Sequence, residues 1–463
     1  MSIIGAIMVP HPPIILPEVG RGEEMKIRTT AVSYEKAAAF AAELKPDTIV
    51  LISPHSVMYA DYFHISPGKS AWGDMRQFRA PQVRITVNYD TDFVQSLTAL
   101  AEKNGFPAGT LGERNPDLDH GTVIPLYYVN HFTTDYRLVR IGLSGLTLTE
   151  HYRLGQMIQQ TAETLKRRVV LIGSGDLSHK LRDDGPYGYA EEGPIYDERI
   201  MDVMGRAAFD ELLDFGESFC ERAAECGHRS FCMMAGALDG LSVEAERLSH
   251  EGSFGVGYGV CTYRVTGNDP ARCFLEVREE KQRKAMQERL QREDAYIRLA
   301  RDTVNSWVRD RKKPEIPENL PEEMLSKRAG VFVSIHKDGQ LRGCIGTIQA
   351  SRRNIAEEIM ENAVSASTRD PRFSPVRPDE LDVLEISVDV LGETEKIQSK
   401  DELDVKRYGV IVSKGFRRGL LLPNLEGVDT VDQQVAIAMS KAGLSTREKN
   451  VDMERFEVIR HEA

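Results

Sequence analysis

The sequence predicts an α/β protein of two domains, an αβα sandwich built on a mostly parallel sheet followed by a smaller α+β domain. Three observations predict it. In the first 265 residues short β-rich runs alternate with helical patterns, the order that builds a parallel sheet covered on both faces. After a densely charged stretch, the rest of the chain reads as β-like runs around a helix. Finally, 463 residues exceed the size at which one hydrophobic core stops growing.

The elements follow in order. IIGAIMV is the first strand, a helix covers residues 30–44, and DTIVLIS is the second strand. RLVRIGL, a helix over residues 152–165 and RRVVLIGSG repeat the unit. EGSFGVGYGVCTYRV reads as one closing strand, its glycines marking close approach of another backbone. Its GxGxG does not read as a dinucleotide site, because no helix follows. The charged stretch FLEVREEKQRKAMQERLQRED then enters an amphipathic helix with Tyr296, Leu299, Ala300, Val304 and Trp307 on one face. A proline-rich loop, KKPEIPENLPEE, leads into GVFVSIHKDGQLRGCIGTI, LEISVDVL and GVIVSKGFRRGLLLP, which surround a helix near residues 354–366. The expected division is therefore a first domain over 1–266, a charged linker over 267–288 and a second domain over 289–463.

Composition excludes some function classes. A net charge of −12 argues against nucleic acid as the main partner, since counterion release needs a basic face. No apolar run approaches the roughly 18 residues of a membrane span. The N-terminal IIGAIMVPHPPIIL lacks a basic leader and is broken by three prolines, which fits a strand and turn better than a signal peptide. Six cysteines without a CxxC pair suggest reduced thiols in a cytoplasmic protein and give no zinc motif.

The chemistry lies in four histidines. His11, His55, His120 and His179 each close a short apolar run and are flanked by Pro, Gly or Ser, in IMVPHPPII, IVLISPHSV, DLDHGTV and LIGSGDLSHKL. Such a pattern reads as strands delivering ligands to the carboxyl edge of a sheet, where α/β proteins place their sites. Nine of the eleven histidines lie at or before His250, so the two halves differ in chemistry. His11 and His55 follow the first two strands and, if those strands are adjacent, can together hold one metal. The third ligand comes from AAECGHRSFCMM, as either Glu225 or Cys226. A carboxylate leaves open positions on iron(II), whereas a thiolate favours copper(I) or zinc. His179 and His120 are the acid, base or oxyanion-stabilising groups beside the metal. His64, His131, His151 and His250 lack the strand-end context and read as structural imidazoles, and Cys220, Cys232 and Cys261 as small buried hydrophobes.

In the second half, Arg342 and Cys344 share a glycine-bounded strand-to-turn segment, and Arg369 and Arg372 flank Asp370. Such arginines suit a carboxylate or phosphate ligand, and Cys344 suits a nucleophile if its pKa is lowered. The structural alternative is a tight turn with a buried thiol and both arginines paired with Asp370.

These motifs carry a resemblance. With PHPP at His11, SPH at His55, LDHGTVIPL at His120 and GSGDLSHKL at His179, in that order, the first 265 residues resemble the LigB-type class III extradiol dioxygenase superfamily, which includes the Memo proteins. The resemblance implies iron(II) on His11, His55 and a glutamate, with His179 as base and His120 contacting substrate or oxygen. It implies an oxidoreductase acting on a catechol-like or enediol small molecule. Memo proteins carry a CG motif similar to Cys226-Gly227, which implies instead a metal-binding or scaffold protein without ring cleavage. From about residue 290, LRGCIGT, SASTRDPRFSPVRPDEL, GLLLPNLEG and KAGL resemble the AMMECR domain, a resemblance that brings no settled reaction. Proteins resembling both domains occur beside radical-SAM proteins, which implies a radical-SAM partner, and a homo-oligomer is compatible with the sequence. A short linker raises the effective concentration of one domain at the other to roughly millimolar, so the two are expected to serve one process.

Overall fold

The computed structural model describes residues 2–112, 117–337, 339–425, 427–448 and 450–463. The chain divides into two compact units, Met1–Glu280 and Lys281–Ala463.

The first unit is an αβα sandwich on a six-stranded sheet. Its order is Arg137–Gly142, Thr48–Ser53, Val169–Ser174, Ile3–Val9, Tyr258–Asn268 and Leu241–Glu251. The first four strands run parallel and the last two are antiparallel. Thr48–Ser53 and Val169–Ser174 are buried at every position, as a strand with helices on both faces must be. Alternate residues feed the two cores: Ile7, Val9, Ile49 and Leu51 pack with Tyr34, Ala37 and Ala41 of the helix Arg28–Glu43. Ala6, Met8, Val50 and Ile52 face Leu154 and Ile158 of the helix Leu148–Leu165, together with Phe231 and Met233. Each large apolar side chain buried this way contributes about 1.5–3 kcal/mol, so the parallel core fixes the carboxyl edge firmly. Leu148–Leu165 starts four residues before the apolar pattern suggests, because Thr147 and Glu150 form a capping box, a device worth about 1 kcal/mol.

Two expectations are corrected here. EGSFGVGYGVCTYRV is not one strand: Leu241–Glu251 and Tyr258–Asn268 form an antiparallel pair, and residues 252–257 connect them. Another backbone does approach at Gly255, where a Cβ would lie 3.0 Å from the Gly185 Cα, whereas at Gly257 the close neighbour is a carboxylate, with Asp197 Oδ2 1.9 Å from such a Cβ. The charged stretch is largely helical, as Phe274–Arg292, with Leu275 its buried residue. Its Glu, Gln, Lys and Arg content favours helix even where the helix is solvated. A hairpin, Ser70–Met75 with Ala80–Asn88, was not anticipated.

The second unit is α+β. One antiparallel sheet has the order Gln340–Gly346, Val331–Lys337, Leu384–Leu391, Val458–His461, and another has Glu395–Ile397, Asp452–Phe456, Gly409–Lys414, Arg417–Leu421. The helix Ala295–Asp310 buries Tyr296, Leu299, Ala300 and Val304, while Trp307 is half-buried. Among the described residues no helix is long and apolar enough to cross a membrane.

Candidate metal centre

Three parallel strands end side by side, and the chain just beyond each supplies part of one cluster. Past Val9 stands His11, past Ser53 stands His55, and past Ser174 stand Asp176 and His179. The His11 amide donates to Asp176 Oδ1 at 2.8 Å, and its ring Nδ1 lies 2.9 Å from Ser174 Oγ. Ser174 spends its one hydroxyl proton on the Gly121 carbonyl at 2.7 Å, so it accepts from His11 Nδ1–H. The lone pair of His11 is therefore on Nε2, which faces His55 Nε2 at 2.9 Å and Cys226 Sγ at 3.6 Å. A histidine whose second nitrogen is tied back in this way is oriented as a ligand.

His120 does not end a strand. It opens the helix His120–Asn130, capped by Asp119, whose Oδ1 accepts the Thr122 amide at 3.0 Å. The same Oδ1 accepts the Ser53 hydroxyl at 2.6 Å, and Ser53 Oγ accepts the His55 amide at 3.2 Å. One carboxylate thus sets both the His55 turn and the His120 helix, with buried Arg140 behind it at 3.7 Å. The rings of His55 and His120 lie 4.1 Å apart, and those of His11 and His120 5.4 Å apart.

Of the two residues between which the sequence left the third ligand open, Cys226 is the one placed with the histidines. The ligand atoms of His11, His55 and Cys226 lie within 4.8 Å of one another, and so do those of Asp176, His179 and Cys226. Cys226 Sγ also accepts the Asp176 amide at 3.3 Å. Glu225 points elsewhere, its Oε2 accepting the His228 amide at 2.6 Å at the start of the helix His228–Ala237. His179 is stacked on Tyr187 at 5.0 Å.

Burial controls the electrostatics. It holds His11 well below the ordinary imidazole value, helped by His55, His120 and His179, and takes His120 and His179 down to about 4. All are neutral at pH 7, the form that donates a lone pair. Burial also pushes the Asp176 and Glu225 carboxyls up to about 7 and raises the Cys226 thiol. A bound cation reverses the last effect by favouring thiolate. Two convergent Nε2 atoms and a sulfur, with His11 buried, Cys226 half-buried and His55 reaching the surface, fit a borderline or soft cation, so the residues present suit a metal.

A cavity of about 550 Å³ opens beside the cluster, lined by His55, Asp119, His120, Arg140, Trp72 and Arg76 among others. Trp72 lies on the unanticipated hairpin, with the Arg84 guanidinium 4.4 Å over its ring, and Arg76 follows in the turn. Sequence reasoning missed Trp72, Arg76 and Asp176. Only Asp176 had a visible signal, three residues before His179 in GSGDLSH. The remaining histidines have structural partners: His151 bonds Thr147 O and Ser144 N, His64 bonds Leu111 O, and His250 bonds Asp197. His131 packs against Tyr127.

In the second unit the arginines are paired, but not all as expected. Arg342 forks onto Glu380 at 3.1 and 3.0 Å, and Arg372 onto Asp370 at 3.0 and 2.7 Å. Arg369 does not pair with Asp370; it caps the helix Ile355–Thr368 and reaches Glu361 at 3.2 Å. Half-buried Cys344 accepts the Ser334 hydroxyl at 3.2 Å and donates its amide to Asp370 Oδ2 at 2.9 Å, while Arg372 Nη2 bonds the Cys344 carbonyl at 3.1 Å. Hydrogen bonds from Arg372 hold the Asp370 carboxyl at about 2.

Two family models match the chain, one in each unit. Residues 5–261 match the family described as the catalytic LigB subunit of aromatic ring-opening dioxygenase, and residues 297–461 match the AMMECR1 family. A protein of Clostridium acetobutylicum is 40% identical over 469 residues, spanning 100% of this chain and 99% of its own. A Thermotoga maritima protein is 50% identical over 170 residues, 36% of this chain and 98% of its own. The crystal structure of an uncharacterized protein from Pyrococcus horikoshii is 30% identical with a TM-score of 0.34, covering 36% of this chain and 88% of that one. The chain belongs to the LigB family and carries an AMMECR1 domain at its C-terminal side.

Proposed function

We propose that the LigB-type domain is a metal-dependent oxidoreductase for a small molecule with two adjacent oxygens, a catechol or an enediol. The observation that supports it is the convergence of His11, His55 and Cys226 ligand atoms, with His120 and His179 alongside, at the edge of a cavity large enough for one aromatic ring. His11 and His55 with Cys226 would hold the ion, iron(II) in the dioxygenase-like reading and copper or zinc if the thiolate governs selection. When bound, the ion supplies Lewis-acid activation of the two oxygens and, for iron, access to oxygen chemistry.

The chain supplies the rest. His179, neutral and oriented by its stack on Tyr187, takes the proton of a substrate hydroxyl. His120 donates to the developing negative charge, held in place by its helix cap. Trp72 offers a flat wall to a ring, and Arg140 keeps Asp119, and through it His55, in register.

Cys226 in the cluster favours a second reading, a Memo-like metal-binding or scaffold protein that does not cleave rings and works with a radical-SAM partner. Metal analysis on anaerobically purified protein, followed by addition of catechols and oxygen, separates the two. Iron near one per chain, lost in His11→Ala and accompanied by a yellow ring-cleavage product, supports the enzyme; His179→Ala then abolishes turnover and keeps the ion at His11, His55 and Cys226. Metal binding with no product from any catechol or enediol supports the second reading.

A further inference from the structure

We infer that the centre has places for two cations, the second held by Asp176, His179 and the shared sulfur of Cys226. The inference rests on the His11, His55 and Cys226 site of the proposed function and adds to it a ligand set of its own. The two triads are each compact, with ligand atoms within 4.8 Å, and they meet only at Cys226 Sγ. Asp176 Oδ1 is used by the His11 amide, which leaves the other carboxylate oxygen for a ligand. The carboxylate is 7% exposed and forms no ion pair among the described residues.

The backbone favours this arrangement. The Asp176 amide donates to Cys226 Sγ at 3.3 Å, so one residue bonds the sulfur with its N–H and offers its side chain beyond it. A thiolate has lone pairs for two ions, and a mixed oxygen, nitrogen and sulfur set suits a borderline divalent cation such as zinc or cobalt(II). The second place and the proton-acceptor role of His179 are exclusive: the ring accepts a substrate proton while the second place is empty and becomes a ligand when it fills.

The test is anaerobic titration of metal-free full-length protein with cobalt(II), followed by calorimetry and by the sulfur-to-cobalt absorption band. Wild type is expected to bind two ions per chain. Asp176→Asn and His179→Ala are each expected to bind one and to keep the band, and His11→Ala to lose the other ion. His179 is half-buried, so His179→Ala serves if Asp176→Asn fails to fold. One ion in wild type, lost in His11→Ala and retained in Asp176→Asn, overturns the second site and leaves the proposed function standing. Two ions in both Asp176→Asn and His179→Ala also overturn it. No ion in wild type overturns both readings.

Discussion

Gly175 and Gly227 meet backbone to backbone: a Cβ on Gly175 would lie 2.1 Å from the Gly227 Cα. The contact brings the turn after Val169–Ser174 against the turn before His228–Ala237, and so sets Asp176 beside Cys226. The candidate metal site depends on two side chains being absent as much as on the residues that would hold the ion.

Gly175→Ala should therefore damage the site as well as the fold. Backbone cannot yield as a flexible side chain does, and overpacking of this kind costs about 1–3 kcal/mol. The expected outcome is a lower denaturation midpoint together with loss of metal binding. A variant of full stability with unchanged metal affinity would show that the turns can separate freely.

Ser174→Ala tests the orientation of His11. Without the hydroxyl, Nδ1 loses its acceptor and the ring is no longer held with Nε2 toward Cys226. Metal affinity should fall about 10–100-fold. Isothermal titration measures this directly, and an unchanged affinity would mean that the tautomer is fixed by something other than Ser174.

His151 predicts a pH dependence of stability separate from the metal centre. It is fully buried, donates Nδ1–H to Thr147 O and accepts the Ser144 amide on Nε2, so the neutral ring has no place for a second proton. Burial takes its pKa down to about 4. The unfolded chain, near 6.5, binds the proton more readily, so the contribution is complete above pH 6.5, falls as pH drops toward 4, and is gone below. The full effect is about 3 kcal/mol. Unfolding free energies measured from pH 7 to 4 should fall less steeply in His151→Gln than in wild type; parallel curves would refute the assignment.

Arg342 and Arg369 should respond differently to truncation. Arg342 forks onto nearly buried Glu380, which also pairs with Lys337 at 3.3 Å. Arg342→Ala leaves that carboxylate under-compensated, at a cost of about 3 kcal/mol. Arg369 makes a largely exposed pair with Glu361, and Arg369→Ala should change stability by less than about 0.5 kcal/mol. Thermal melts of the two variants check the contrast.

Much of this molecule is legible in its sequence. Strand and helix alternation gave the sandwich because side-chain period is a local property, and an apolar run such as TIVLIS has few alternatives to a strand buried on both faces. His11 and His55 were legible because each stands two residues past such a run, and His179 because it closes the short turn after another. His120 was read in the wrong local setting, since DLDHGTV is an N-cap and first turn, and Asp119 at the cap was the signal.

What the sequence could not settle was adjacency between distant turns. Glu225 and Cys226 are neighbours in the chain, and either could serve as a ligand on chemical grounds. Only the packed structure turns the sulfur to His11 and the carboxylate to the His228 amide. Asp176 and Trp72 joined the site for the same reason. The sequence by itself determined the layers, the edge and the histidines, because strand periodicity and chain direction are written locally. The tertiary structure decided that Cys226 and not Glu225 stands beside the histidines, and where the cavity lies, because these depend on how closely two backbones approach, and the Gly175 to Gly227 contact sets that distance across 52 residues.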